Sequence, residues 1–190
     1  MFNHIFYINL DIDVERQVIC EKQLHDCGLS AERFPAICPT DAGNYPSLGA
    51  RGCQLSHLAL VEEAQRRNLD HVLILEDDFI LHEDFFGLCM KLNPVNYDLF
   101  YFYRWFEKDE YPIKIVPIES TLCTHAYAVH SNYYQKYIDT LKNNHEGLPI
   151  DRLFFESDKK FATSVNMIGQ RANISRIDGS DKGIRFSGFD

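Results

Sequence analysis

Basic residues are in deficit in this chain. Nineteen Lys and Arg stand against twenty-eight Asp and Glu, a formal net charge of −9. A nucleic-acid phosphate binder needs a basic stripe, so this balance argues against nucleic acid as a partner. An anionic small molecule remains compatible with it, because a bound divalent cation inverts the local field. None of the six cysteines (20, 27, 38, 53, 89 and 123) forms a CxxC pair, so neither a zinc knuckle nor a thioredoxin-type dithiol is suggested. Neither GxxxxGK[ST] nor GxGxxG occurs, which removes the P-loop and the dinucleotide fingerprint. No uninterrupted apolar segment is long enough to span a bilayer. The opening "MFNHIFYINL" has no basic n-region and runs straight into a strand pattern, so it is not read as a leader. These absences lead to the expectation of a soluble, cytoplasmic protein with reduced thiols, in which the sequon Asn173-Ile-Ser175 is idle.

What is present reads as globular. The apolar fraction is 45% and the aromatic fraction 13%, and 190 residues suffice for one domain with a full core. Buried-strand patterns fall at "HIFYINL" (4–10), "AERFPAI", "HVLIL" (71–75) and "YDLFYFY" (97–103), with weaker ones at "IKIVPI" and "THAYAVH" and a last one at "FATSVNMI". Helical spacing runs through "VERQVICEKQLHDC", which stops at Gly28, and through "CQLSHLALVEEAQRRN" (53–68). Shorter helices are expected at "EDFFGLCMKL", "NYYQKYIDTLKN" and "DRLFFES". The Pro- and Gly-rich stretch 38–52 is expected to be loop, and the polar tail 169–190 to be loose. Strand and helix alternate through the first half, which predicts an α/β domain with a mainly parallel, Rossmann-like central sheet flanked by helices.

The sharpest feature is "HVLILEDDFIL". A strand pattern ends on three adjacent carboxylates, Glu76, Asp77 and Asp78. Open α/β sheets bind ligands beyond the carboxyl ends of their strands. Adjacent carboxylates there are costly unless something positive compensates. A divalent cation does so, and Mg²⁺ and Mn²⁺ take one or two carboxylates together with substrate phosphates. The plainer alternative is that Asp77 and Asp78 cap a turn and Glu76 is simply exposed.

Three segments in order, "YINLDIDVER", "GARGCQLSHLAL" and "LILEDD", resemble glycosyltransferase family 25, with "THAYAVH" and "LPIDRLFF" further along resembling that family's later segments. The family includes bacterial lipooligosaccharide galactosyltransferases and is related to collagen galactosyltransferases. The resemblance implies a GT-A-like single domain over 1–190, with a nucleotide-sugar-binding half (1–110), an acceptor-side half (111–168) and the tail. It implies transfer of galactose or another hexose, with inversion, from a nucleotide-diphosphate donor such as a UDP-sugar. The acceptor is a hydroxyl of a glycan or glycolipid, with any membrane proximity arising through that acceptor. Mn²⁺ or Mg²⁺ is implied as cofactor, held by Asp78 and Glu76. Donor contacts fall on Asn9, Leu10, Asp11, Arg16, Arg51, Ser56, His57, Glu76 and Asp77, and Asp151 or Asp77 is the base for the acceptor hydroxyl. Three have a structural alternative: Arg16 pairing with Asp13, His57 packing its helix, Asp151 capping one. Ser56 and His57 are helix neighbours that do not face each other, so they are no hydrolase couple. Two departures stand out: no His follows His145, leaving Asp178, Asp181 or water as a further ligand, and the chain is shorter than typical members. A nucleotidyltransferase, or a domain that binds nucleotide or sugar without turnover, are the alternatives.

Overall fold

The computed structural model describes residues 3–93, 95–104, 109–119, 122 and 124–171. The first strand, β1 (Ile5–Asn9), is buried along its whole length. Phe6 and Ile8 join one apolar cluster and Ile5 and Tyr7 another, the period-two alternation of a strand covered on both faces. α1 (Val14–Asp26) sets Cys20 and Leu24 into the second cluster. It ends ahead of Gly28, whose φ of +65° suits a residue without a Cβ. β2 (Glu32–Pro35), α2 (Leu48–Arg66), β3 (His71–Glu76), β4 (Phe79–Leu81) and α3 (Phe85–Met90) follow. Then come β5 (Leu99–Tyr101), β6 (Ile115–Pro117), β7 (Ala126–His130), α4 (Tyr134–Lys142), β8 (Lys160–Thr163) and β9 (Ile168–Gln170).

Seven strands form one sheet in the order β2-β1-β3-β7-β5-β8-β6, and β4 pairs with β9 apart from it. Five of the seven (β1, β2, β3, β5 and β8) run in one direction, while β7 and β6 oppose them. The sheet is thus mainly parallel in direction. Helices α2 and α4 cover one face through Leu60, Val61, Tyr137 and Ile138; α1 and α3 cover the other through Leu24, Phe85 and Leu88. Among the described residues, no helix is long and apolar enough to cross a membrane.

Several sequence expectations are revised. Helix α2 begins at Leu48, inside the stretch read as loop, because the Ser47 side chain accepts from the Ala50 N–H at 3.0 Å and starts the helix across Gly49 and Gly52. The last strand pattern is split: β8 stays in the main sheet, and after residues 164–167 the chain pairs as β9 with β4. Residues 169 and 170, assigned to the loose tail, lie in β9. Past residue 171 that tail, with Asn173, Asp178 and Asp181, lies outside the described residues. The "DRLFFES" helix is only a 3-10 turn, Ile150–Arg152, after which Leu153 is extended.

The topology concentrates chemistry at one edge. Parallel pairing of β1, β2 and β3 brings their carboxyl ends together, and the register pairs Ile8 with Glu76. Antiparallel β7 enters from that same edge, where the Glu76 N–H donates to the His125 carbonyl at 2.9 Å.

Candidate active site

Asp77 and Asp78 form the turn between β3 and β4. Asp77 is only 8% exposed. Its Oδ2 accepts from Asn9 Nδ2 at 2.8 Å, and its Oδ1 accepts from Arg16 Nη1 at 2.7 Å. Burial pushes the Asp77 carboxyl above the ordinary carboxylate range, with Arg16 and Asn9 drawing it back. Asn9 is itself fixed, since its Oδ1 accepts from Arg33 Nε at 2.9 Å. The turn is tied from below by Cys20, whose thiol donates to the Asp77 carbonyl at 3.2 Å. Asp77 is therefore a clamp: both oxygens are engaged, and it holds Arg16 at the cleft wall.

Glu76 is held by different partners. His57, on α2, places Nε2 3.2 Å from Glu76 Oε1, and Thr124 Oγ1 donates to the same oxygen at 3.0 Å. Burial would raise the Glu76 carboxyl, but the hydrogen bond and charge of His57, helped by His125 and Thr124, hold it below the ordinary value. Cys53, His57 and Glu76 bring possible ligand atoms within 4.8 Å of one another. A soft cation there would have to displace the His57–Glu76 bond and ionise a thiol that burial, with the Glu76 and Asp151 charges, keeps protonated. Ser56 is buried; its Oγ accepts from the Ile37 N–H at 2.8 Å and donates to the Gly52 carbonyl at 2.6 Å. It thereby locks the loop after β2 against α2.

Asp78 Oδ2 accepts from Gln170 Nε2 on β9 at 3.0 Å, and the Asp78 carbonyl accepts from the Arg171 N–H. Its carboxylate is a hard oxygen donor at the cleft edge, a ligand type that fits Mg²⁺ or Mn²⁺. Across the opening, the 3-10 turn after Pro149 presents Asp151.

These groups surround one cleft of about 490 Å³. Asn9, Leu10, Arg16, Ser56, His57, Glu76, Asp77, Asp78 and Asp151 all line it. Asp11 and Arg51 do not. Asp11 pairs with Arg33 at 2.7 Å on the surface, and Arg51 pairs with Asp41. Each is drawn away by a nearer opposite charge. Sequence reasoning missed Thr124, Gln170 and Arg33. Thr124 opens the noted "THAYAVH" segment, whereas Gln170 sits in a stretch with no pattern at all.

The sequence profile of glycosyltransferase family 25 (LPS biosynthesis protein) matches residues 40–154. Similar curated proteins are each described as a glycosyltransferase 25 family member. That of Drosophila melanogaster is 33% identical over 135 residues (57% of this chain, 22% of the relative). That of Drosophila pseudoobscura pseudoobscura is 31% identical over 134 residues (57% and 21%). That of Anopheles gambiae is 30% identical over 148 residues (59% and 25%). The matched region thus spans about a fifth to a quarter of these relatives' length. Among solved structures, a glycosyltransferase involved in the glycosylation of the major capsid of PBCV-1 aligns with a TM-score of 0.46 at 13% identity, covering 74% of this chain and 66% of that one. A197 from STIV aligns at 0.47 and 10% identity over 100% of both chains.

Proposed function

The chain belongs to glycosyltransferase family 25, and from that premise we propose that its cleft binds a nucleotide-diphosphate sugar, most simply a UDP-hexose, and transfers the sugar with inversion to a hydroxyl of a glycan or glycolipid. The observation that carries this reading is the meeting of Arg16, Asp78 and Asp151 around a single cleft at the carboxyl ends of β1 and β3. That edge is where open α/β sheets take nucleotides.

Arg16 is positioned for the donor diphosphate. Its guanidinium is oriented by Asp77, so a phosphate oxygen meets a pre-aimed donor rather than a mobile side chain. Asp78 would hold Mn²⁺ or Mg²⁺, which when bound offsets the negative charge of the diphosphate leaving group. We assign Glu76 to a ligand hydroxyl rather than to the cation, because a carboxylate that already accepts from His57 and Thr124 suits a neutral donor. Asp151 is the base: its carboxylate takes the proton as the acceptor oxygen bonds to the anomeric carbon and the bond from that carbon to the diphosphate oxygen breaks. Asp77 is set aside for that role, since both its oxygens are occupied.

Calorimetry with UDP tests the reading. Wild-type protein should bind UDP more tightly with Mn²⁺ than without, and Asp78→Asn should lose the enhancement. Equal UDP–Mn²⁺ affinity in Asp78→Asn and wild type would refute the cation assignment.

A further inference from the structure

His57 is 1% exposed and stands behind Glu76, yet it is one link of a longer buried chain. Its Nδ1 lies 2.8 Å from the hydroxyl of Tyr127 on β7, and that hydroxyl lies 2.5 Å from the hydroxyl of Tyr137 on α4. Both tyrosines are fully buried. The rings stack as well, His57 on Tyr127 at 5.7 Å and Tyr137 on Phe155 at 4.9 Å. A polar chain from the middle of α4 to the cleft crosses a core that apolar side chains would fill more cheaply.

We propose that Tyr137, Tyr127 and His57 are positioning residues that fix the Glu76 carboxylate so that its second oxygen, Oε2, receives a hydroxyl of the sugar nucleotide in the cleft. This rests on the reading of the cleft given above and adds to it the residues behind the wall. An ionised carboxylate only accepts, so His57 Nε2–H donates to Oε1. The chain continues from His57 Nδ1 to the Tyr127 hydroxyl and from there to the Tyr137 hydroxyl, each pair within hydrogen-bond distance. Among the described residues, every hydrogen bond to the Glu76 carboxylate falls on Oε1: from His57, from Thr124 at 3.0 Å and from Cys53 Sγ at 3.9 Å. Three donors on one oxygen pin the carboxyl plane and leave Oε2 for the ligand in a cleft that Glu76 lines. The elements involved, α2, α4, β3 and β7, pack in one core cluster, so the carboxylate is referenced to rigid structure rather than to a loop.

The test is a double-mutant cycle on the full chain, read as affinity for UDP-galactose and UDP-glucose by calorimetry. Tyr127→Phe keeps the ring and removes one hydroxyl; it should weaken binding on the order of three- to tenfold, the worth of one hydrogen bond. Glu76→Gln removes the accepting oxygen. If Tyr127 acts through Glu76, the double variant binds no more weakly than Glu76→Gln alone. Additive losses mean a general structural effect and overturn the inference, as does unchanged affinity in Tyr127→Phe. His57→Gln, whose amide can still donate to Glu76, should keep more affinity than His57→Leu; equal losses also overturn it. Should Tyr127→Phe fail to fold, Tyr137→Phe and the His57 pair carry the same comparison. The underlying reading fails separately: wild-type protein that binds neither donor removes the cleft assignment, and this inference with it.

Discussion

Replacing Asp77 by alanine is the perturbation whose cost can be worked most directly. The substitution deletes a charge-assisted bond to Arg16 at 2.7 Å and a second bond from Asn9 at 2.8 Å. Asn9 is 1% exposed and the Arg16 side chain 16%. A neutral bond is worth about 1 kcal/mol and one to a charged group about 1.5–3 kcal/mol. A fully buried, abandoned charge costs about 3–5 kcal/mol. Arg16 borders the cleft and can turn to water, so the expected loss lies below that limit, at about 2–3 kcal/mol. In urea this moves the unfolding midpoint down by about 1–1.5 M, using a slope of about 2 kcal/mol/M. Asp77→Asn, which keeps an oxygen for Asn9, should lose about half as much. Both variants should also bind UDP more weakly, because Arg16 is no longer aimed. Stability within about 0.5 kcal/mol of wild type, the range of ordinary surface substitutions, would refute the clamp. Intact UDP affinity with abolished transfer in Asp77→Asn would instead mark Asp77 as the base.

Asp151→Asn should bind UDP as wild type does and lose about 10²- to 10⁴-fold in transfer rate, measured as UDP release with acceptor present; unchanged turnover removes Asp151 as base. Gly52→Ala gains about 1 kcal/mol of helix propensity, but its Cβ would sit 2.7 Å from the Ile37 carbonyl oxygen and 3.1 Å from Pro39 Cδ. Backbone cannot yield cheaply, so overpacking of about 1–3 kcal/mol wins and the melting temperature should fall; a rise would show that the loop after β2 is not held against α2. Glu76 has a folded-state pKa held below the ordinary 4.5, so its stabilisation is present above 4.5 and lost as pH falls through the folded-state value. The stability gap between wild type and Glu76→Gln, from denaturant titrations, should therefore be widest near neutral pH and close in acid; a gap independent of pH contradicts that sign.

Much of the site was legible because its carriers are ends of strongly patterned strands. "HIFYINL" and "HVLIL" announce β1 and β3, and Asn9 and Glu76–Asp78 follow from where those runs stop. Their pairing partners were not legible. Nothing local says that Asp77 would meet Arg16 rather than a cation, since the pair is separated by 61 positions. The three adjacent carboxylates at the end of β3 were the best available hint of function, because such charges are costly there unless something positive compensates. The start of α2 was missed because Gly49 and Gly52 read as loop, while the Ser47 cap outweighs their low propensity. β9 was missed because its pairing with β4 is non-local.

The central claim is that the cleft seats a nucleotide-diphosphate sugar, and a structure of the chain with UDP-galactose and Mn²⁺ bound tests it most directly. The account predicts the diphosphate within hydrogen-bond reach of Arg16, the cation on Asp78, and the anomeric carbon facing Asp151. A nucleotide bound elsewhere on the surface, or seated in the cleft with its diphosphate away from Arg16 and Asp78, would contradict it.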